Sequence, residues 1–286
     1  MPELDPVPGP VADGGPDREK ATDNGSGTAP DHAADLALLI EAARAAGQVS
    51  GGFWRRDPEV WSKGDDSPVS EADLAVNDML GEVLRAARPD YGWLSEETPD
   101  DPGRLDHDRV FIVDPIDGTR AFVEGQKTWA HALAVAEAGR VIAGVVFLPL
   151  REELYAARLG GGASLNDTPL AVSPRGDLEG AGVLANRHAL DARHWPGGAP
   201  RVDRHVRPAL AHRLALVSEG RFDASLSFGK VWEWDSAAGS LLVSEAGGAV
   251  TDRSGGVLRF NQPDPRSSGV LAASPALHAE MVDRSA

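Results

Sequence analysis

Val110-Phe111-Ile112-Val113-Asp114-Pro115-Ile116-Asp117-Gly118-Thr119 is the stretch on which the fold of this chain turns. Four consecutive apolar residues bounded by polar ones predict a strand buried on both faces. Pro115 keeps Asp114 extended and withholds its own N–H from any ladder, so the chain is expected to leave the sheet at Asp114. Gly118 permits a backbone conformation closed to other residues, and Thr119 is placed to cap a helix beginning at Arg120 or Ala121. Free amides near Gly118 and Thr119 would then face the same spot as the two carboxylates, a place for a hard cation beside a phosphate. Ordinary turn chemistry seldom needs two acids, a Pro and a Thr in one cluster.

Working outward, the chain has 286 residues, 42% of them hydrophobic, enough for a well-buried core without staples. The absence of Cys excludes disulfides, thiolate metal sites and a cysteine nucleophile. The longest apolar runs are far short of a membrane span and the N-terminus lacks a signal-peptide pattern, so a cytoplasmic protein is expected. A net charge of −16 opposes binding to nucleic acid polymers and anionic membranes. A small anionic substrate would need local rescue by metal ions, amides or Arg.

Residues 1–31 are rich in Pro, Gly, Asp and Ser and are expected to form a disordered tail. From Ala33, apolar Leu36, Leu39, Ile40 and Ala43 recur at helical spacing, with Gly47 as the expected stop. A second helix reads from Ser70 to about Arg88, ahead of Pro89, and Tyr91 to Leu94 makes a short strand. Trp129 to Leu150, broken at 137–140, reads as an antiparallel hairpin that Leu154 to Ala157 continues. Later come a helix over Pro208 to Ser218, a strand near Phe222 to Phe228 and a helix from Ser236 to Ala246. This order predicts layered α/β sheets with antiparallel pairing, within one domain over 32–286 whose halves divide near residue 175.

Three further acids can be assembled around the opening motif. Glu96 emerges from the strand Tyr91 to Leu94 much as Asp114 does, although Glu96-Glu97 also reads as a surface acidic pair. Asp235, before Ser236-Ala237-Ala238, occupies an N-cap position, and capping alone would explain it. Asp73 is equally explained by the Ser70-x-x-Asp73 capping-box spacing. As a set, carboxylates at strand ends and helix starts, without His or Cys, match Mg²⁺. The aspartyl-nucleophile pattern Asp-x-Asp-Gly-Thr is not present, because Asp114 and Asp117 lie one residue further apart.

Glu96-Glu97, the Asp114 to Thr119 motif, and Trp234-Asp235-Ser236-Ala237-Ala238 followed by Glu245-Ala246-Gly247-Gly248 resemble the three signatures of the inositol monophosphatase superfamily of Mg²⁺-dependent, lithium-sensitive phosphatases. Pro68 to Asp73 also resembles the family's helix start, and the likeness covers about residues 32–280. It implies an αβαβα sandwich and two or three Mg²⁺ ions. It also implies Glu96, Asp114, Asp117, Asp235 and the Ile116 carbonyl as ligands, with Asp73 and Thr119, beside Glu96, serving the attacking water. Gly118 and Thr119 amides would hold the phosphate. Superfamily members are often homodimers, and the resemblance carries that expectation too.

Substrate choice rests on departures from the inositol enzymes. Gly118-Thr119-Arg120-Ala121-Phe122 looks more like the form found in bisphosphate nucleotidases, although Ala121 replaces their Glu. Near Ser227 and Phe228 the Glu that inositol enzymes offer to ring hydroxyls is absent. Arg187, in Asn186-Arg187-His188, is placed to fork a second phosphate, and Arg120, Lys230 and Trp232 to contact a nucleotide. These features favour 3'-phosphoadenosine 5'-phosphate. Inositol monophosphate or another sugar or polyol phosphate, such as histidinol phosphate, is the runner-up, and a catalytically silent metal-binding regulator is the reading from a different class.

Overall fold

A computed structural model describes residues 32–62, 64 and 68–285; the tail expected over 1–31 lies outside the described residues. The helical spacing after Ala33 forms α1 (His32–Phe53), but Gly47 does not end it. A Cβ on Gly47 would stand 2.8 Å from Phe147 Cε1 and 2.9 Å from Pro149 Cβ. Glycine is there for close approach to the sheet, not to stop a helix. Strands β1 (Val60–Ser62) and β2 (Pro68–Ser70) pair antiparallel and lead into α2 (Glu71–Ala87).

The main sheet has seven strands: β3 (Gly92–Ser95), β4 (Arg109–Asp117), β5 (Ala130–Glu137), β6 (Arg140–Leu148), β7 (Glu153–Arg158), β8 (Ala163–Leu165) and β9 (Thr168–Pro169), in that spatial order. Only β3 and β4 are parallel. All nine residues of β4 are buried, as the uninterrupted apolar run requires, but the strand runs on to Asp117 where an exit at Asp114 was expected. A five-residue helix follows it, α3 (Thr119–Val123).

A second sheet of five strands is ordered β11 (Asp203–His205), β10 (Gly182–Ala185), β12 (Ala224–Ser227), β16 (Val270–Ala273), β14 (Ala249–Thr251). Helix α4 (Leu210–Ser218) crosses over between the parallel strands β10 and β12. Helix α5 (Glu233–Glu245) starts three residues before the expected Ser236. The short pair β13 (Val231–Trp232) and β15 (Arg266–Ser267) flanks its start, and α6 (Pro275–Arg284) closes the described chain.

Side-chain alternation along β4 shows how the layers stack. Phe111 and Val113 pack with Leu39, Ala43, Val76 and Leu80 of α1 and α2. Val110 and Ile112, on the opposite face, join Leu214 of α4 and Leu241 and Leu242 of α5. Leu184, Val270 and Ala272 of the second sheet face that same helix layer, whereas Val183, Ala185 and Leu271 pack with Leu277 and Met281 of α6. The result is helix, sheet, helix, sheet, helix, the expected αβαβα order. With both faces of β4 covered, its end is held rigidly at the layer boundary. Gly47→Val is expected to destabilise the protein by about 1–3 kcal/mol through overpacking against Phe147 and Pro149, read as a lower urea midpoint at unchanged m value.

Candidate active site

The end of β4 carries both acids of the opening motif. Asp114 pairs with Ala132 and Asp117 with Ala130, so three steps along β4 match two along β5. In a regular strand, residues three apart point to opposite faces; the extra residue at Pro115-Ile116 turns both carboxylates the same way. Pro115, with no N–H to pair, favours a bulge there. His131 of β5 pins it: its ring Nδ1 donates to the Pro115 carbonyl at 2.5 Å, and its Nε2 lies 3.0 Å from Ser50 Oγ on α1. Burial pulls His131 down to about 4, so the ring is neutral near pH 7. The sequence reading did not single out His131. A lone His amid the apolar β5 run was the available signal.

Other elements converge on this bulge. Parallel pairing of Ser95 with Val113 sets Glu96 level with Asp114, and the Glu96 N–H donates to Val113 O at 3.2 Å. Asp235 lies in the first turn of α5, not at its cap, which is Trp232; the Asp235 carboxylate accepts the Trp232 N–H. Oxygens of Asp114, Asp117 and Asp235 lie within 4.8 Å of one another. Gly118, with φ +95°, is the cap of α3, and Thr119 is its first residue, where Thr119 had been expected to cap. A left-handed φ of that size strains a residue with a Cβ, which explains glycine here.

Asp73 makes the capping contact that its position suggested and a second contact to Thr119. One carboxylate oxygen accepts the Ser70 N–H at 2.8 Å and the Ser70 hydroxyl at 2.5 Å, starting α2. The other accepts the Thr119 hydroxyl at 2.9 Å. Thr119 Oγ1 is also 3.1 Å from the Ile116 carbonyl, so Asp73, Thr119 and that carbonyl are contiguous.

Electrostatics fit this place to a cation. Burial raises Asp114 well above the usual carboxylate range, and neighbouring Glu96, Asp117, Asp235 and Asp73 raise it further. Asp117 is pushed up to about 7 by burial, against the opposing Ala211 amide, Arg213 guanidinium and Leu210 amide. Asp235 is raised strongly by burial, then by Asp117 and Glu96. Asp114 Oδ1 is buried with no hydrogen-bond partner. Mutually repelling buried carboxylates with an orphaned oxygen, and no His or thiolate donor among them, suit a hard divalent ion such as Mg²⁺.

The second sheet's crossover helix adds residues that the sequence reading missed. Leu210 and Ala211 N–H groups at the start of α4 donate to Asp117 at 3.3 and 2.6 Å. Arg213, one turn on, donates from Nη2 to Ser227 Oγ at 3.4 Å, while its buried Nε has no partner. Its signal in the sequence was a single cation inside the apolar run of α4. The expected substrate residues are less enclosed. Arg120, Arg187 and Lys230 are exposed; Arg120 borders a groove with Trp61 and Val123. Arg187 opens a short 3₁₀ turn beyond β10. Trp232 stacks on Trp234 at 4.5 Å between centroids, with Arg266 5.0 Å from its ring, a stack built within the chain.

The model of the inositol monophosphatase family matches residues 31–285. The chain belongs to that family. Among its relatives, the "Nus factor SuhB" of Pasteurella multocida is 33% identical over 259 residues, 87% of this chain and 94% of that protein. The histidinol-phosphatase of Chlorobaculum parvum is 34% identical over 257 residues, 87% of this chain and 95% of the relative. A solved Thermotoga maritima IMPase superposes with a TM-score of 0.76 at 30% identity, covering 87% of this chain and 96% of that one. A phosphatase of this family, typically Mg²⁺-dependent, accounts for the acidic cluster. Among the described residues no helix is long and apolar enough to cross a membrane.

Raised carboxylates make ion binding compete with protons. In the metal-free protein their contribution to stability is full below the unfolded value near 4 and is lost as pH rises through about 7. His131 and His212, both pulled down to about 4 by burial, act in the opposite sense, so the difference made by Mg²⁺ is the clean readout. The rise in melting temperature on adding Mg²⁺ is expected to be small at pH 5 and to grow through pH 7 to 8. Asp117→Asn should abolish most of that growth.

Proposed function

We propose that this family member hydrolyses a small phosphomonoester of the polyol or sugar class by attack of an activated water, with no covalent enzyme intermediate. The observation that carries the reading is the Asp73–Thr119 pair at 2.9 Å, set against the Ile116 carbonyl beside the clustered carboxylates of Asp114, Asp117 and Asp235. Mg²⁺ held by Glu96, Asp114, Asp117, Asp235 and the Ile116 carbonyl would supply Lewis acidity for the phosphoryl oxygens and the water. Thr119 Oγ1, fixed by Asp73, orients the water in line with phosphorus, and Asp73 is the acceptor toward which its proton is drawn. Gly118 and Thr119 N–H groups hold the phosphoryl oxygens, an arrangement that the left-handed Gly118 allows. As the new P–O bond forms, the ester P–O bond breaks and the leaving alkoxide takes a proton from solvent water, so that the proton drawn to Asp73 can return to solvent.

The substrate favoured by the Gly118 to Phe122 comparison, 3'-phosphoadenosine 5'-phosphate, gains no support from the relatives, whose names point to inositol and histidinol phosphates. Arg187, offered for its second phosphate, is exposed. The polyol, sugar or amino-alcohol phosphate reading therefore stands first. The regulatory name of the Pasteurella relative belongs to that protein. Here the retained water-positioning pair supports catalysis, since a silent scaffold has no physical use for it.

Phosphate release from inositol 1-phosphate and histidinol phosphate with Mg²⁺ tests the proposal. Asp117→Asn is expected to lose turnover by orders of magnitude with an intact far-UV spectrum, and a near wild-type rate would sink the assignment. Thr119→Ala is expected to lower kcat by about 10²–10⁴-fold, mostly without a change in KM, because its effect is on the transition state.

A further inference from the structure

Arg213 is a cation without an adequate partner at the edge of an acidic site. Its helix is tied to Asp117 by two amides, and Asp117 and Asp235 attract its charge, yet among the described residues no ion pair includes it. Of its five donors, one meets Ser227 Oγ at a long 3.4 Å and the buried Nε meets nothing. Leaving a buried guanidinium N–H unsatisfied is costly, and a rigid fork of donors suits carboxylate or phosphate oxygens. Once cations sit on the carboxylates, the attraction that Arg213 feels from them is cancelled, and this corner of the site becomes net positive.

The surroundings show on which side an anion would lie. Ser227 ends β12, and parallel pairing of Ala185 with Leu226 brings Asn186 and Arg187, at the end of β10, to the same sheet edge. Arg187 is exposed there, in the 3₁₀ turn that follows β10. Phe228, next along, is stacked flat against His194 at 4.6 Å between ring centroids, giving this edge an apolar wall. The site thus has its acids on β4 and α5 and one buried guanidinium on α4.

We propose that Arg213 is a specificity-determining residue that pairs with a second anionic group of the substrate, selecting phosphomonoesters with another phosphate or carboxylate over esters of neutral polyols. This rests on the hydrolytic reading above but departs from its substrate order, placing doubly anionic esters ahead of neutral polyol phosphates. A sugar bisphosphate and a nucleoside bisphosphate share the required chemistry, and Ser227, the guanidinium's neighbour, is a neutral hydroxyl that does not neutralise it.

The experiment is steady-state phosphate release by the full chain with Mg²⁺ from inositol 1-phosphate, fructose 1,6-bisphosphate and 3'-phosphoadenosine 5'-phosphate, for wild type, Arg213→Gln and Arg213→Lys. Wild type is expected to show the higher kcat/KM on at least one doubly anionic ester, and which one separates the sugar from the nucleotide source. In Arg213→Gln the ratio of kcat/KM for that ester to kcat/KM for inositol 1-phosphate is expected to fall about 10- to 100-fold, chiefly through KM, with partial recovery in Arg213→Lys. Parallel losses on all esters, an unchanged ratio, or a fall in melting temperature without a change in ratio would overturn the proposal. A wild type that prefers inositol 1-phosphate overturns it too while leaving hydrolysis standing. Failure to release phosphate from any ester, histidinol phosphate included, removes the hydrolytic reading itself and this inference with it.

Discussion

Three carboxylates, two buried and one half-buried, whose oxygens lie within 4.8 Å of one another are the constraint around which the molecule is arranged. Such groups cannot all be charged without a counter-ion, and water is too scarce at Asp114 to solvate them. The protein brings them together nonetheless because each comes from a backbone that cannot retreat. Asp114 and Asp117 end a strand buried on both faces, and Asp235 belongs to the first turn of a helix wedged between the two sheets. Packing energy distributed over a five-layer sandwich offsets repulsion concentrated at one point, and a bound cation converts that repulsion into affinity.

The groups around the carboxylates are mostly neutral donors. Amides of Leu210 and Ala211 hold Asp117, the Trp232 amide holds Asp235, and Ser70 with Thr119 holds Asp73. Neutral donors orient a carboxylate without cancelling its charge, so it remains available to a metal. His131 follows the same logic one step back, fixing the bulge through the Pro115 carbonyl while burial keeps the ring uncharged. Arg213 is the exception, a guanidinium whose hydrogen-bond contact is the Ser227 hydroxyl.

The chain by itself determined the parts that depend on neighbours in sequence. Apolar periodicity over 36–43 and 74–84, the buried run 110–113 and the hairpin broken at 137–140 all form the elements expected of them. The acids were legible only as a set, because oxygen donors gathered without His or Cys suit a hard cation, and the resemblance to the family's signatures placed them in order. Tertiary structure alone decided the rest. Gly47 ends no helix, since its meaning lies in Phe147 a hundred residues away. The strand runs past Asp114, because a bulge opposite His131 absorbs Pro115 and aims both acids one way, and Asp235 sits inside its helix since the chain turns at Trp232. Arg213 comes near the acids only when the crossover between β10 and β12 lays α4 against the end of β4. Local pattern reports which face of an element is apolar; which charges meet across layers depends on the packing of elements distant in sequence.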